Sequence, residues 1–182
     1  MAKTAAQIAL LFFLISALIG RFEVHQISME PNFHEGQRVI VSKLDSLWSS
    51  LLVRTAHAAE SRRDSPFAPR RGQIIVFFKT PDRAGDALIK RVIGLPGDSI
   101  DLRGGVVRVN GAMLDEPYVK EQYTSCNRYC ASFTLARDTY FLMGDNRDNS
   151  LDSRDFGPVP ADQIVGRVVL RYWPLDKIAL YP

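Results

Sequence analysis

The sequence predicts a mainly β fold of curled, barrel-like antiparallel sheets behind one N-terminal transmembrane helix. Three observations support this prediction: short apolar segments recur after Gly72, Asn110-Gly111 is a strong hairpin-turn signal, and an apolar run ends at Gly20. With 182 residues, of which 46% are hydrophobic, the chain can form one domain with additions. Little helical periodicity follows the N-terminal segments, so we expect β structure to dominate.

The apolar run from Ile8 to Gly20 is flanked by Lys3 and Arg21. It is short for a membrane span, which needs about 20 apolar residues, and a cleaved signal peptide has an apolar core of similar length. Small residues do not alternate just past the run, so we favour an uncleaved anchor over residues 1–21. The positive charge before the run predicts a cytoplasmic N-terminus and an extracytoplasmic domain over residues 22–182, single-pass in the cell membrane.

The stretch after the anchor predicts a strand from Gly36 to Lys43 and then an insertion over residues 44–71. Leu44 to Leu52 places apolar residues three and four apart, which is typical of a helix, either on the membrane surface or packed in a core. Thr55 to Arg71 has no apolar periodicity and is rich in Ala, Ser, Arg and Pro, which predicts a flexible loop.

Strand follows strand after Gly72. We predict strands at Ile74–Phe78, Leu88–Ile93, Ser99–Leu102, Val106–Val109, Tyr140–Met143 and Ile164–Trp173. Residues 99–139 are expected to form a small accessory β region that holds Cys126 and Cys130. These cysteines form either a disulfide loop or two free thiols, and an oxidising compartment outside the membrane favours the disulfide.

Lys90 interrupts the apolar strand Leu88–Ile93. Side chains alternate between the faces of a strand, so Lys90 and Arg91 point in opposite directions, and one of them can face the covered side. Burial lowers the pKa of a lysine and allows it to act as a base. The ordinary alternative is an edge-strand lysine whose ammonium reaches solvent.

Two other polar stretches accompany this lysine. Ser28 stands just past the predicted anchor, before Met29-Glu30-Pro31, where a serine ordinarily starts a turn. The charged stretch from Gly144 to Gly157 follows a strand directly. It does not match a calcium loop, because Ser153 stands where that loop needs glycine. Paired carboxylates and guanidiniums are expected to hold it against the sheet and to deliver the hydroxyl of Ser150 or Ser153 to a buried amine.

A Ser-His-Asp triad is the alternative chemistry for a serine hydrolase. Of the three histidines, only His34 is a serious candidate, because His25 leaves the chain on the face opposite to Ser28 and His57 lies in the predicted loop. A serine with a neutral lysine as base is a known variant of the same logic.

Five segments of the chain resemble, in the same order, the motif boxes of bacterial type I signal peptidases. These segments are Ser28-Met29-x-Pro31, Gly36 to Lys43, Arg71 to Phe77, Lys90 to Asp98 and Gly144 to Arg154. The resemblance extends from about Val24 to Trp173 and implies a membrane-anchored serine endopeptidase that removes signal peptides after Ala-x-Ala sites. The implied partners are preprotein signal peptides and membrane lipid. Neither a cofactor nor a metal is implied. The dispersed basic residues argue against nucleic acid.

By this resemblance, Ser28 is the nucleophile and Lys90 is the general base that deprotonates it. Ser150 is expected to hydrogen-bond and orient Lys90, and the backbone N–H of Ser28 to hold the oxyanion. Gln26 stands where some members carry serine or glycine, so its amide is the candidate second oxyanion donor.

The resemblance also assigns supporting residues. It pairs Arg91 with Asp145 and Arg154 with Asp152 as supports of the charged loop. The shallow pockets for small substrate side chains are expected to be lined by Val24, Met29, Phe33, Leu88 and Ile89.

The insertion matches no feature of the family, and Ala56-His57-Ala58 within it is a hypothetical self-cleavage site. Two alternative functions also fit these residues. One is another processing peptidase with the same Ser/Lys chemistry. The other is a non-catalytic membrane-tethered β module, in which Lys90 pairs with a carboxylate and Ser28 is a turn residue.

Overall fold

The computed structural model describes residues 18–44, 68–121, 123–126, 128–129 and 131–181, together with residues 4, 7, 8 and 16. This part of the chain is mainly β, with a short α-helix, α1 (Ser153–Phe156). Its strands are β1 (Ile19–Glu23), β2 (Arg38–Ser42), β3 (Ile74–Phe77), β4 (Leu88–Gly94), β5 (Ser99–Asp101), β6 (Arg108–Val109), β7 (Ala112–Met113), β8 (Phe133–Thr134), β9 (Thr139–Met143), β10 (Val159–Pro160), β11 (Ile164–Trp173) and β12 (Ala179–Leu180).

The larger sheet has the strand order β1-β2-β11-β3-β4-β9-β10, with β12 paired to β11. Its neighbouring strands are antiparallel throughout. The register shifts within β11, between Val168 and Leu170 and again before Trp173, and within β4 before Gly94. Such irregularities bend a strand and increase its twist. The prediction of a mainly β fold of curled antiparallel sheets is therefore confirmed.

The smaller sheet has the order β7-β6-β5-β8 and lies within residues 99–134. Asn110 and Gly111 join β6 to β7 with φ values of 53° and 82°. Two successive residues with positive φ make the tight turn that Asn-Gly favours, so the predicted hairpin forms.

Apolar side chains cover both faces of strands β3 and β4. Ile74, Val76 and Ile89 belong to one core cluster, and Ile75 and Val92 belong to another. Because Ile75 pairs with Lys90 and Ile74 pairs with Arg91, the two basic residues leave β4 on opposite faces, as predicted. Both β3 and β9 flank β4, which makes it an interior strand rather than the edge strand of the ordinary alternative.

The predicted end of the anchor is wrong. Residues 19–21 belong to β1, where Ile19, Gly20 and Arg21 pair with Ser42, Val41 and Ile40. Hydropathy does not locate the change from helix to strand, because an apolar run fits a membrane span and a covered strand equally well.

No helix within the described residues is long and apolar enough to cross a membrane. Most of the predicted anchor, residues 45–67 of the predicted insertion with Ala58, and Cys130 lie outside the described residues. Strands β8, β10 and β12 were not predicted, because two residues are too few for a periodic pattern.

Candidate active site

Ser28 lies in a single 3-10 turn, Ile27–Met29, that follows the extended residue Gln26. The side chain of the next residue, Met29, is fully buried in the main core cluster beside Phe33. The backbone N–H of Phe33 donates to the Met29 carbonyl at 2.8 Å, which fixes the turn from its far side. Ser28 itself is only 3% exposed, so its hydroxyl points into the protein.

The Lys90 side chain is fully buried, and its Nζ lies 2.7 Å from Ser28 Oγ. Nζ also donates to the Ile89 carbonyl at 3.1 Å. None of the ion pairs among the described residues includes Lys90, contrary to the alternative in which a carboxylate pairs with it. Burial lowers the pKa of Lys90 to about 8, and the charges of Asp152 and Asp145 oppose that shift. A neutral amine is therefore accessible near neutral pH.

Arg91, on the opposite face of β4, forms a two-pronged ion pair with Asp145. Its Nε donates to Asp145 Oδ1 at 2.7 Å and its Nη2 to Asp145 Oδ2 at 2.6 Å. Asn32 Nδ2 donates to the same carboxylate at 2.9 Å, and the Tyr118 ring stacks 4.0 Å from the guanidinium. Burial raises the pKa of Asp145, and Arg91 works against that rise. The predicted Arg91–Asp145 pair is thus present.

Asp152 and Arg154 are also paired, and both are fully buried. Arg154 Nε donates to Asp152 Oδ1 at 2.9 Å, and the Gly144 N–H donates to Asp152 Oδ2 at 3.0 Å. Asp152 caps helix α1 as well, by accepting from the Arg154 backbone N–H. This carboxylate therefore ties both ends of the charged loop together.

Ser150 does not make the predicted hydrogen bond to Lys90. Its Oγ is buried and has no hydrogen-bond partner among the described residues. It packs instead over Gly144, where a β-carbon would overlap both Ser150 Oγ and the Ser28 carbonyl oxygen. The hydroxyl therefore lies near Ser28, one member of the Ser28–Lys90 dyad, without a hydrogen bond to Lys90.

An open groove runs between residues 22–26 and residues 86–89 and is lined also by Val39 and Val76. Three of the predicted pocket residues, Val24, Leu88 and Ile89, line it, and so does Gln26. Met29 and Phe33 do not line it; both are fully buried in the core cluster that also contains Val24, and their place in a substrate pocket stays a prediction. The groove borders the dyad, since Gln26 precedes Ser28 by two residues and Ile89 directly precedes Lys90.

Two asparagines at this site were not predicted from the sequence. Asn32 braces Asp145, and Asn146 hydrogen-bonds the backbone on both sides of Ser28. Asn146 lies within the last motif segment and Asn32 directly follows the first, but an asparagine in a polar loop carries no pattern that predicts its partner. The histidine alternative gains no support, because His34 Nδ1 lies 3.2 Å from Glu30 Oε1 while Ser28 contacts Lys90. Cys126 is disulfide-bonded.

The family model described as signal peptidase, peptidase S26, matches residues 1–173. The chain belongs to this family. A probable signal peptidase I-2 from Synechocystis is 36% identical over 157 residues, which cover 84% of this chain and 62% of that protein. A signal peptidase I from Leptolyngbya laminosa is 40% identical over 60% of this chain and 56% of its own length. The chain thus spans about three fifths of the length of these relatives.

Two further comparisons accompany these. A signal peptidase I from Bacillus caldolyticus is 36% identical over 173 residues, covering 89% of this chain and 84% of that protein. A crystal structure of a signal peptidase I from Enterococcus faecalis V583 has 34% sequence identity and a TM-score of 0.44, and covers 54% of this chain and 95% of that chain.

The buried Arg91–Asp145 pair is expected to stabilise this member of the signal peptidase family. Asp145→Asn leaves the Arg91 guanidinium, whose side chain is 11% exposed, without its counter-ion. Loss of one partner of a buried pair should lower the free energy of unfolding by about 3 kcal/mol, measured by urea denaturation. The matched control is Asp101→Asn, which removes an Asp–Arg contact of the same 2.6 Å length whose arginine is 69% exposed. Equal losses in both variants would contradict this expectation.

Lys90 is expected to destabilise the folded chain near neutral pH. Its folded-state pKa of about 8 is lowered from 10.5, so the unfolded chain binds more protons between these values and stability rises with pH across that window. Lys90→Met should abolish this rise and increase the free energy of unfolding at pH 7 by about 3 kcal/mol. Urea denaturation of the original protein and of Lys90→Met, at pH values from 7 to about 10, tests this. A variant that is less stable than the original at pH 7 rules the interpretation out.

Proposed function

We propose that the protein is a membrane-anchored serine endopeptidase that cleaves N-terminal signal peptides from exported preproteins at Ala-x-Ala type sites. The observation that carries the proposal is the 2.7 Å contact between Ser28 Oγ and the fully buried Nζ of Lys90. Membership of the signal peptidase family supports the substrate class. The anchor over the N-terminal residues and the extracytoplasmic position of the catalytic domain are parts of the same proposal.

Ser28 acts as the nucleophile and Lys90 as the general base. The neutral amine takes the hydroxyl proton while Ser28 Oγ attacks the carbonyl carbon of the scissile bond. The oxyanion that forms accepts from the Ser28 backbone N–H, and the Gln26 amide is the candidate second donor. Collapse of this intermediate breaks the C–N bond, and the Lys90 ammonium returns the proton to the leaving amine. The signal peptide remains esterified to Ser28, and the mature protein leaves.

Hydrolysis of the ester uses the same base. Lys90, neutral again, takes a proton from a water molecule as that water attacks the ester carbonyl, and the second oxyanion occupies the same site. Proton return to Ser28 Oγ releases the signal peptide. Ser150, whose buried hydroxyl has no hydrogen-bond partner among the described residues, can orient Lys90 after a change of rotamer.

The substrate binds as an added strand in the groove between residues 22–26 and 86–89. The first segment includes the end of β1 and the second the start of β4, and each leads directly to one member of the dyad, so a peptide lying between them presents its carbonyl groups next to Ser28. The walls carry Val24, Leu88 and Ile89, which leave shallow apolar pockets suited to small side chains such as alanine.

Loss of either dyad member is expected to abolish cleavage. Ser28→Ala removes the nucleophile, and Lys90→Ala removes the base, so each should reduce kcat/KM for an exported preprotein in detergent by at least about 1,000-fold. Lys120→Ala, which removes an exposed lysine of the smaller-sheet region, is the control and should cleave at the original rate. Cleavage by Ser28→Ala at the original rate would remove the catalytic assignment.

The pH dependence should report the ionisation of Lys90. Only the neutral amine is a base, so kcat/KM is expected to rise with pH and to level off above about 8. As the pH falls through that value, activity is lost because the ammonium cannot accept the serine proton. A profile that stays flat from pH 6 to 9 is the outcome that contradicts a lysine base.

A further inference from the structure

Asn146 binds the two peptide units that flank Ser28. Its backbone N–H donates to the Ser28 carbonyl at 3.1 Å, and its side-chain Nδ2 donates to the Ile27 carbonyl at 3.2 Å. The side chain thus reaches across 119 positions of the sequence to the residue before the serine.

The bond to Ile27 fixes the direction of the Ser28 N–H. The Ile27 carbonyl and the Ser28 N–H belong to one planar peptide unit, in which they point in opposite directions. The Ile27 oxygen accepts from Asn146 Nδ2 and also from the Glu30 N–H at 3.1 Å. With its oxygen held by two donors, the peptide plane cannot rotate freely. Hydrogen bonds to a carbonyl also polarise the peptide and strengthen its N–H as a donor.

The orientation of the Asn146 amide follows from its other contacts. Asn146 Oδ1 accepts from the Asn149 backbone N–H and from Asn149 Nδ2, each at 3.2 Å. A backbone N–H can only donate, so the amide oxygen must face Asn149. The amide NH₂ group must then face the Ile27 carbonyl, which can only accept.

The charged loop is attached to β4, the strand that carries Lys90, and this attachment holds Asn146 in place. Asn146 directly follows Asp145, which is buried and paired with Arg91, the residue next to Lys90. At the other side, Gly144 packs against the Ser28 carbonyl without room for a β-carbon. The serine turn and the lysine strand are therefore joined through three consecutive residues of one loop.

We propose that Asn146 is a positioning residue that aims the Ser28 backbone N–H at the oxyanion of the reaction. This inference rests on the proposed function, since it concerns the same Ser28-dependent hydrolysis. An oxyanion donor contributes mainly in the transition state, so its misalignment lowers kcat and leaves substrate binding largely intact.

The test compares Asn146→Ala with Asn149→Ala in the full chain, with a preprotein in detergent. Both variants lose the Asn146–Asn149 side-chain bond, but only the first loses the bond to Ile27. We expect Asn146→Ala to lower kcat about 10- to 100-fold, less than complete removal of an oxyanion donor. KM should stay within about twofold, and the midpoint of the pH–rate profile should not move. Asn149→Ala should keep its kcat.

Three outcomes overturn the inference: an unchanged kcat in Asn146→Ala, an equal loss in Asn149→Ala, or a loss that comes with a shifted pH midpoint, which would place the effect on Lys90. If Asn146→Ala does not fold, Asn146→Asp replaces it, because it keeps the acceptor for Asn149 and lacks the donor for Ile27. The original chain and Ser28→Ala are measured in parallel. Absence of Ser28-dependent cleavage defeats the proposed function, whereas undiminished Ser28-dependent cleavage in Asn146→Ala defeats only the role of Asn146.

Discussion

The contact between Lys90 Nζ and Ser28 Oγ joins two segments 62 positions apart in the chain, and it depends on keeping carboxylates away from the amine. Two carboxylates act on Lys90 through space, those of Asp152 and Asp145. Each forms an ion pair with an arginine: Asp152 pairs with Arg154, and Asp145 pairs with Arg91. A carboxylate that paired directly with the lysine would stabilise its ammonium form. The arginines therefore help to support the loop and also leave the amine free to contact the serine.

Much of this arrangement follows from local patterns. Apolar segments of four to ten residues predicted the longer strands, because a covered strand must bury side chains along its whole length. The two-residue period of a strand predicted that the Lys90 and Arg91 side chains point to opposite faces. Because β4 is an interior strand, the Lys90 side chain is covered by its neighbours. The motif resemblance supplied the Arg91–Asp145 pair, which periodicity alone cannot provide.

The rest depends on contacts between distant segments and on rotamers. Ser150 stands in the expected loop, yet its hydroxyl makes no hydrogen bond to Lys90, and residue type does not determine a side-chain torsion. Met29 packs in the same core cluster as Phe33, which lies four positions further along the chain, and no sequence pattern specifies that packing. Asn146 binds a carbonyl 119 positions away, which only the assembled sheet brings near. Hydropathy likewise could not separate the start of β1 from the apolar run before it.

The missing β-carbon at residue 144 offers a way to read other sequences that share this pattern. A chain can keep the serine, the lysine and every charged residue of the loop and still carry a larger residue at this position. The β-carbon of that larger residue would occupy the space of the Ser28 carbonyl oxygen and of the Ser150 hydroxyl. The serine turn would have to withdraw from the loop, and with it from the lysine. Such a chain would have the composition of an active member but the geometry of an inactive one.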